Sequence, residues 1–127
     1  MTQCVFDALV RGDLEEVVDH LDDRVIWYVA PPIPFAGEHV GKENVCRVLL
    51  EEFGPLFQSF ERRVVELVEQ TDGRYAGIIE TRAEIEGVAV SSKNVHVNRI
   101  ERGAIVEWWC QPLDEDAAER FWSAVSS

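Results

Sequence analysis

Apolar residues recur along this chain with two periods, and the change of period marks the change of element. Val5, Phe6, Leu9 and Val10 follow helical spacing until Gly12 and Asp13 interrupt it. Leu14, Val17, Val18 and Leu21 make a second helical stripe, with Asp13 placed to cap it and Glu16 as its capping partner. Asp22 and Asp23 end the stripe, and Val25 to Val29 is a strand by composition. Pro31, Pro32 and Pro34 then force a rigid, extended exit. Gly41 leads into a further helix with Val45, Val48, Leu49 and Phe53 on one side, which Gly54 and Pro55 should stop.

From Phe60 onward the period falls to two. Val64 to Val68, Tyr75 to Glu86, Val88 to Ile100 and Ala104 to Cys110 are predicted strands. Asp72-Gly73, Glu86-Gly87 and Arg102-Gly103 are hairpin turns between them, where glycine supplies the positive φ. Asp114 to Val125 closes the chain as a short helix. Helices first and a long meander afterwards predict an α+β domain over residues 1–127, with helices packed on one face of a curved antiparallel sheet.

Two of these strands carry polar side chains at period two. Glu80, Arg82 and Glu84 share one face of the first, and Asn94, His96 and Asn98 share one face of the next. An acid, a guanidinium and an imidazole would then converge from neighbouring strands, as in a polar-bottomed pocket. The alternative is a solvated sheet face carrying alternating charges that contribute little. Glu84 beside Arg82, buried in an apolar setting, would make a general base, and His96 titrates near neutrality and can move a proton. A Glu84–His96 contact would orient the ring and raise its basicity. Cys110 reads as a small buried hydrophobe, since a nucleophilic role needs a lowered pKa for which His96 is the nearest source. Tyr28 would donate its phenolic hydrogen to a substrate oxygen, which sends Trp27 to the opposite sheet surface. Trp108, Trp109 and Trp122 are expected to pack the C-terminal helix and a dimer interface, and His20 and His39 to sit at the surface.

Charge narrows the partners. The net charge of −12, from 24 acidic and 12 basic residues, repels phosphate backbones and anionic lipid, so neither nucleic acid nor a membrane is an expected partner. Three cysteines, Cys4, Cys46 and Cys110, lie at wide spacing without a CxxC pair, so neither a zinc knuckle nor a redox motif is indicated. His96 and Glu84 would be at most two ligands, so no metal is expected. No glycine-rich phosphate loop follows a strand, so no nucleotide cofactor is expected either. The sequence has no signal-peptide pattern and no apolar run of membrane-spanning length, which by default predicts a cytoplasmic setting.

Several fragments together resemble the nuclear transport factor 2-like fold, in particular its SnoaL-like and limonene-epoxide-hydrolase-like branches. Leu9 to Glu15 is similar to the family's helix, Gly-Asp, helix opening. Leu21 to Trp27 resembles its first strand entry, and Phe35 to Val45 its segment with glycines at Gly37 and Gly41 and a valine four residues on. Val95-His96-Val97, the turn at Gly103 and Ile105 to Trp108 resemble its closing hairpin. The resemblance implies a cone: helices wrapped by a strongly bent sheet around an internal apolar pocket, in a homodimer joined through the outer sheet face.

Carried over residue by residue, the resemblance implies a cofactor-independent enzyme performing acid–base isomerisation or cyclisation of a small apolar carbonyl compound. Glu84 or His96 would be the base, with Arg82 and Tyr28 on the oxyanion, and Ala30, Asn94, Trp108 and Cys110 lining the pocket. Epoxide hydrolysis is the first alternative, since Arg82-Ala83-Glu84 is similar to that branch's Arg-x-Asp and Tyr28 to its tyrosine. There Ala30 stands at the asparagine position and Cys110 at the second aspartate, which removes two water-positioning groups. His96 is similar to the cyclases' pocket histidine, and Cys110 stands where their aspartate follows. Ala30, before Pro31, stands at the base of the ketosteroid isomerases. These replacements favour the second alternative, a non-catalytic small-molecule binder or accessory protein.

Overall fold

The computed structural model describes residues 2–57, 59–69 and 73–126, with the side chains of 2–6, 57 and 126 left aside. Two short helices open the chain, α1 (Thr2–Arg11) and α2 (Leu14–Asp19). Asp13 caps α2 by accepting the Glu16 N–H at 3.2 Å. The Glu16 carboxylate does not return the bond. It pairs with Arg11 at 2.7 Å instead.

Strand β1 (Leu21–Val29) begins four residues earlier than its apolar core suggests, because Leu21 is drawn into the sheet rather than into α2. The short strand β2 (Gly37–Val40) pairs antiparallel with β1 and has no clear sequence signal, being only four residues long. The following helical stretch runs on past Gly54 and Pro55. It passes from α3 (Lys42–Arg47) through a π-helical segment (Val48–Phe53) into α4 (Gly54–Phe57). Gly54 keeps helical angles (φ −51, ψ −49), and the wider π turn absorbs the missing Pro55 N–H that was expected to end the helix.

Strands β3 (Glu61–Glu69), β4 (Arg74–Ile85), β5 (Val88–Glu101) and β6 (Ala104–Pro112) form the meander, and α5 (Glu115–Ser126) closes the chain. At the β4–β5 and β5–β6 turns both central residues are left-handed: Glu86 and Gly87 at φ 52 and 81, Arg102 and Gly103 at φ 52 and 78. That is the geometry that matches the right-handed strand twist. Of the third expected turn, Asp72 lies outside the described residues.

The sheet order is β2-β1-β6-β5-β4-β3. The meander is antiparallel throughout, but β1 joins β6 in parallel, with Trp27 opposite Trp108 and Val29 opposite Cys110. Register breaks between Leu21 and Ile26, Val64 and Glu66, and Arg99 and Ile100 bend the sheet, which stays open at its edges. Its concave face takes the core: Val25, Trp27, Val29, Ile79, Ile105 and Trp108 from strands, against Leu9, Leu14, Val17, Val45, Leu49 and Phe121 from helices. Among the described residues no helix is long and apolar enough to cross a membrane.

Candidate functional site

Period two places alternate strand residues on the concave face, and on β5 these are polar. Ser92, Asn94, His96 and Asn98 are all more than nine-tenths buried. Across from them β4 presents Ile79 and Thr81, and β6 presents Trp108 and Cys110. Leu9 of α1, Leu49 and Phe53 of the π-helical segment, Ile33, Phe60 and Trp122 of α5 close over this floor. The partly open cavity they leave measures about 30 Å³, so a ring enters it only if the wall moves. Arg62 of β3 reaches it from one side, with its guanidinium 4.8 Å above the Phe60 ring.

The polar floor is organised around His96. Trp108 Nε1–H donates to His96 Nδ1 at 3.2 Å, and Cys110 Sγ lies 3.8 Å from His96 Nε2. An indole nitrogen only donates, so Nδ1 must be unprotonated. Burial, and secondly the Arg62 cation, push the His96 pKa down to about 4, so the ring is neutral at pH 7. A neutral ring with Nδ1 accepting carries its hydrogen on Nε2. His96 is therefore a hydrogen-bond donor towards Cys110 and the cavity, and a weak base. Burial also raises the Cys110 thiol to about 12, which leaves it protonated and unreactive. Arg62 is lowered by burial to about 9 and keeps its charge at neutral pH.

Four of the predicted site residues meet here: Asn94, His96, Trp108 and Cys110. The other four do not. Arg82 and Glu84 are exposed on the convex face, because Ile79, Thr81 and Ala83 take the inward positions of β4. His96 pairs with Gly77, and Glu84 lies seven residues further along β4, roughly 23 Å away on the other surface. The expected Glu84–His96 contact is absent for that reason. Their convex-face neighbour Glu80 accepts from Arg63 at 2.8 Å, which holds its carboxyl below the usual range.

Tyr28 also faces outward, stacked on Trp109 at 5.6 Å, while Trp27 takes the inward position expected of its neighbour. Ala30 follows β1, with its N–H on the Cys110 carbonyl at 2.9 Å, and does not line the cavity. His39 is half-buried rather than exposed, with Nε2 2.7 Å from the Phe35 carbonyl and its ring 5.3 Å from Trp27. Trp108 and Trp122 are core residues, and Trp109 alone among these three tryptophans is on the convex face.

Sequence reasoning passed over Trp27, Arg62 and Thr81. Arg62 had a signal in the alternation Phe60, Arg62, Val64, whose apolar members mark the inward face. No Asp or Glu lines the cavity among the described residues, and no three His, Cys, Asp or Glu side chains gather closely enough to hold a metal ion.

A model of the SnoaL-like domain matches residues 3–108 of the chain. Among solved structures, Bal32a, from a soil-derived mobile gene cassette, is 21% identical with a TM-score of 0.77, covering 95% of this chain and 92% of that one. An NTF2-like protein from Cytophaga hutchinsonii is 14% identical with a TM-score of 0.75, covering 88% and 96%. A Xanthomonas campestris protein with a cystatin-like fold is 24% identical with a TM-score of 0.77, covering 95% and 94%. At these identities the likeness is one of fold alone. No curated protein matches the sequence.

Proposed function

The chain belongs to the SnoaL-like domain family, and we propose that its concave cavity binds a small, largely apolar carbonyl compound through the His96 Nε2–H. One observation carries this reading: the Trp108 hydrogen bond to Nδ1, which fixes the tautomer and turns the donor towards Cys110. A thiol sulfur is a weak acceptor, so a carbonyl oxygen would displace it on that hydrogen. The Arg62 charge adds a favourable field for an oxygen carrying negative charge. The remaining wall is aromatic and aliphatic, which suits an apolar body. Entry requires the wall to give way, and Phe53, Phe60 and Arg62 are its partly exposed members.

Cofactor-free isomerisation or cyclisation is the second reading. A neutral imidazole donor stabilises a developing enolate, as a lone electrophile in place of an acid–base pair. With no carboxylate in the cavity, the proton would have to leave to water or to a group on the substrate. Epoxide hydrolysis loses its support, because Arg82 and Glu84 lie outside the cavity.

Cyclohexanone is a suitable first probe, with ¹⁵N-labelled histidine as the reporter. Binding should move the His96 Nε2–H resonance and weaken at least tenfold in His96→Phe, with Glu84→Gln indistinguishable from the parent. Equal affinity for cyclohexane, or an unmoved resonance, would overturn the carbonyl contact. Deuterium exchange at the carbons beside the bound carbonyl then separates the two readings. Exchange that falls in His96→Phe supports catalysis, and binding without exchange supports a carrier or accessory role.

We also propose that the convex sheet face, where Arg74 lies 5.8 Å from the Trp109 ring and Tyr28 stacks beside it, joins two copies of the chain. Sedimentation should then give twice the 14.4 kDa chain mass, and Trp109→Glu should give the monomer.

A further inference from the structure

A ring enters the cavity only if part of its wall moves, and the two partly exposed sides of that wall are held differently. On one side Phe60 is wedged against Phe121 and Trp122, with ring centres 6.0 and 5.8 Å away. Both partners are buried and belong to α5, so movement there would unseat the closing helix. On the other side Phe53 ends the π-helical segment, and its ring meets Phe35 at 5.5 Å. Phe35 belongs to the loop 30–36 between β1 and β2. The same loop places Ile33, 2% exposed, in the cavity wall.

Phe35 is strained where it stands. Its φ is 66, in the left-handed region that a bulky side chain rarely adopts. It follows Pro34 in a turn, at a place where positive φ ordinarily calls for glycine or asparagine. The conformation is held from outside. His39 Nε2–H donates to the Phe35 carbonyl at 2.7 Å, and His39 is itself seated on β2 opposite Trp27, ring centres 5.3 Å apart. Strain of this kind persists only where neighbours over-determine it, and it collects at clamps and switches. The loop also has the mechanics of an arm. Ala30 N–H pins its near end to the Cys110 carbonyl at 2.9 Å, and Pro31, Pro32 and Pro34 stiffen the middle. Beyond its far end Gly37 has φ 135, and a Cβ there would meet nothing within 4 Å. Glycine therefore serves that position through backbone freedom, not through want of space.

We infer that the loop 30–36 is a gate over the cavity, latched shut by the His39–Phe35 hydrogen bond and by Phe35 on Phe53. Opening swings the arm between Ala30 and Gly37, draws Ile33 out of the wall and lets Phe53 follow. Relief of the strain at Phe35 favours the open form and the latch opposes it, so few contacts set the balance. The gate rests on the cavity's need to widen, not on the carbonyl chemistry proposed for His96.

Methyl relaxation dispersion on the full chain, labelled at isoleucine, reads the gate with no ligand present. His39→Phe keeps a ring against Trp27 and removes the donor. It should raise the exchange contribution at the Ile33 methyl about fivefold, with Ile105 in the core unchanged. His39→Gln carries an amide N–H of similar reach and should stay near the parent. Phe35→Ala, which keeps the strain and loses the ring, should also raise Ile33 exchange and serves if His39→Phe fails to fold. Ile33 exchange that is equal in parent and variants, or that rises equally at Ile105, overturns the gate. Cyclohexanone should associate about fivefold faster with His39→Phe than with the parent. Association no faster despite greater Ile33 exchange overturns the gate as the way in. Binding to neither overturns the carbonyl reading, and the methyl data then decide the gate by themselves.

Discussion

Trp27→Ala is expected to cost roughly 3–5 kcal/mol of unfolding free energy, the largest loss from any single truncation proposed for this chain. The side chain is 1% exposed and central to one aromatic cluster. Its ring stacks on Trp108 at 4.8 Å, meets Phe53 at 5.8 Å and touches His39 at 5.3 Å. Alanine would leave a cavity that the rigid β1–β6 pairing cannot close, since Trp27 and Trp108 are opposite in register. A domain of this size holds about 5–15 kcal/mol in total, so the variant should sit near the limit of folding at room temperature. Urea unfolding should show the midpoint falling steeply, and thermal melting a drop on the order of 10–20 °C. Tyr28→Ala makes the control. Tyr28 stacks on Trp109 on the convex face and should cost clearly less. Equal losses in the two variants would mean that the concave face is not the packed one.

The contrast between these neighbours also shows what could be read from sequence. Element types and order followed from periodicity, because long alternating runs and glycine turns leave few choices. Parity did not follow. In Val25 to Val29 either Trp27 or Tyr28 can face the core, and in Gly77 to Ile85 either the charged set or the Ile79, Thr81, Ala83 set can. A one-residue change of phase exchanges the two faces. On β4 desolvation decides the matter, since Arg82 and Glu84 stay in water and Glu80 pairs with Arg63, while Ile79 and Thr81 are readily buried. On β5 the same logic points the other way, since Val95 and Val97 are the apolar set, yet Asn94, His96 and Asn98 are buried. A buried polar stripe against the hydrophobic alternation is a departure from local consistency of the kind that gathers at functional sites. The parallel β1–β6 pairing and the strand β2 were not legible because both depend on chain segments far apart or too short to carry a period.

Acid should destabilise the protein through His96 before most carboxylates protonate. In the folded chain burial, aided by the Arg62 cation, pushes the imidazole down to about 4, whereas an unfolded histidine titrates near 6.5. Between those values the unfolded chain binds a proton that the folded chain refuses. Stability therefore rises with pH across this window and is lost as pH falls from about 6.5 to about 4. One proton gives a slope approaching about 1.4 kcal/mol per pH unit, and the whole window roughly 3 kcal/mol. Below about pH 4 the folded ring protonates too, and this contribution levels off. Glu80, held low by Arg63, loses its contribution in the same direction, but only as pH falls through the carboxylate range. His96→Gln keeps a polar side chain at the position and removes the titration. Its stability should be nearly flat where the parent's slopes, and the difference between the two curves isolates the imidazole. Protonation would also put a hydrogen on Nδ1, which Trp108 Nε1–H already faces at 3.2 Å, so two donors would confront each other. Ligand affinity should accordingly fall with stability in the parent over the same window. Parallel curves for parent and His96→Gln would place the proton uptake elsewhere and remove the neutral imidazole donor on which the proposed carbonyl site depends.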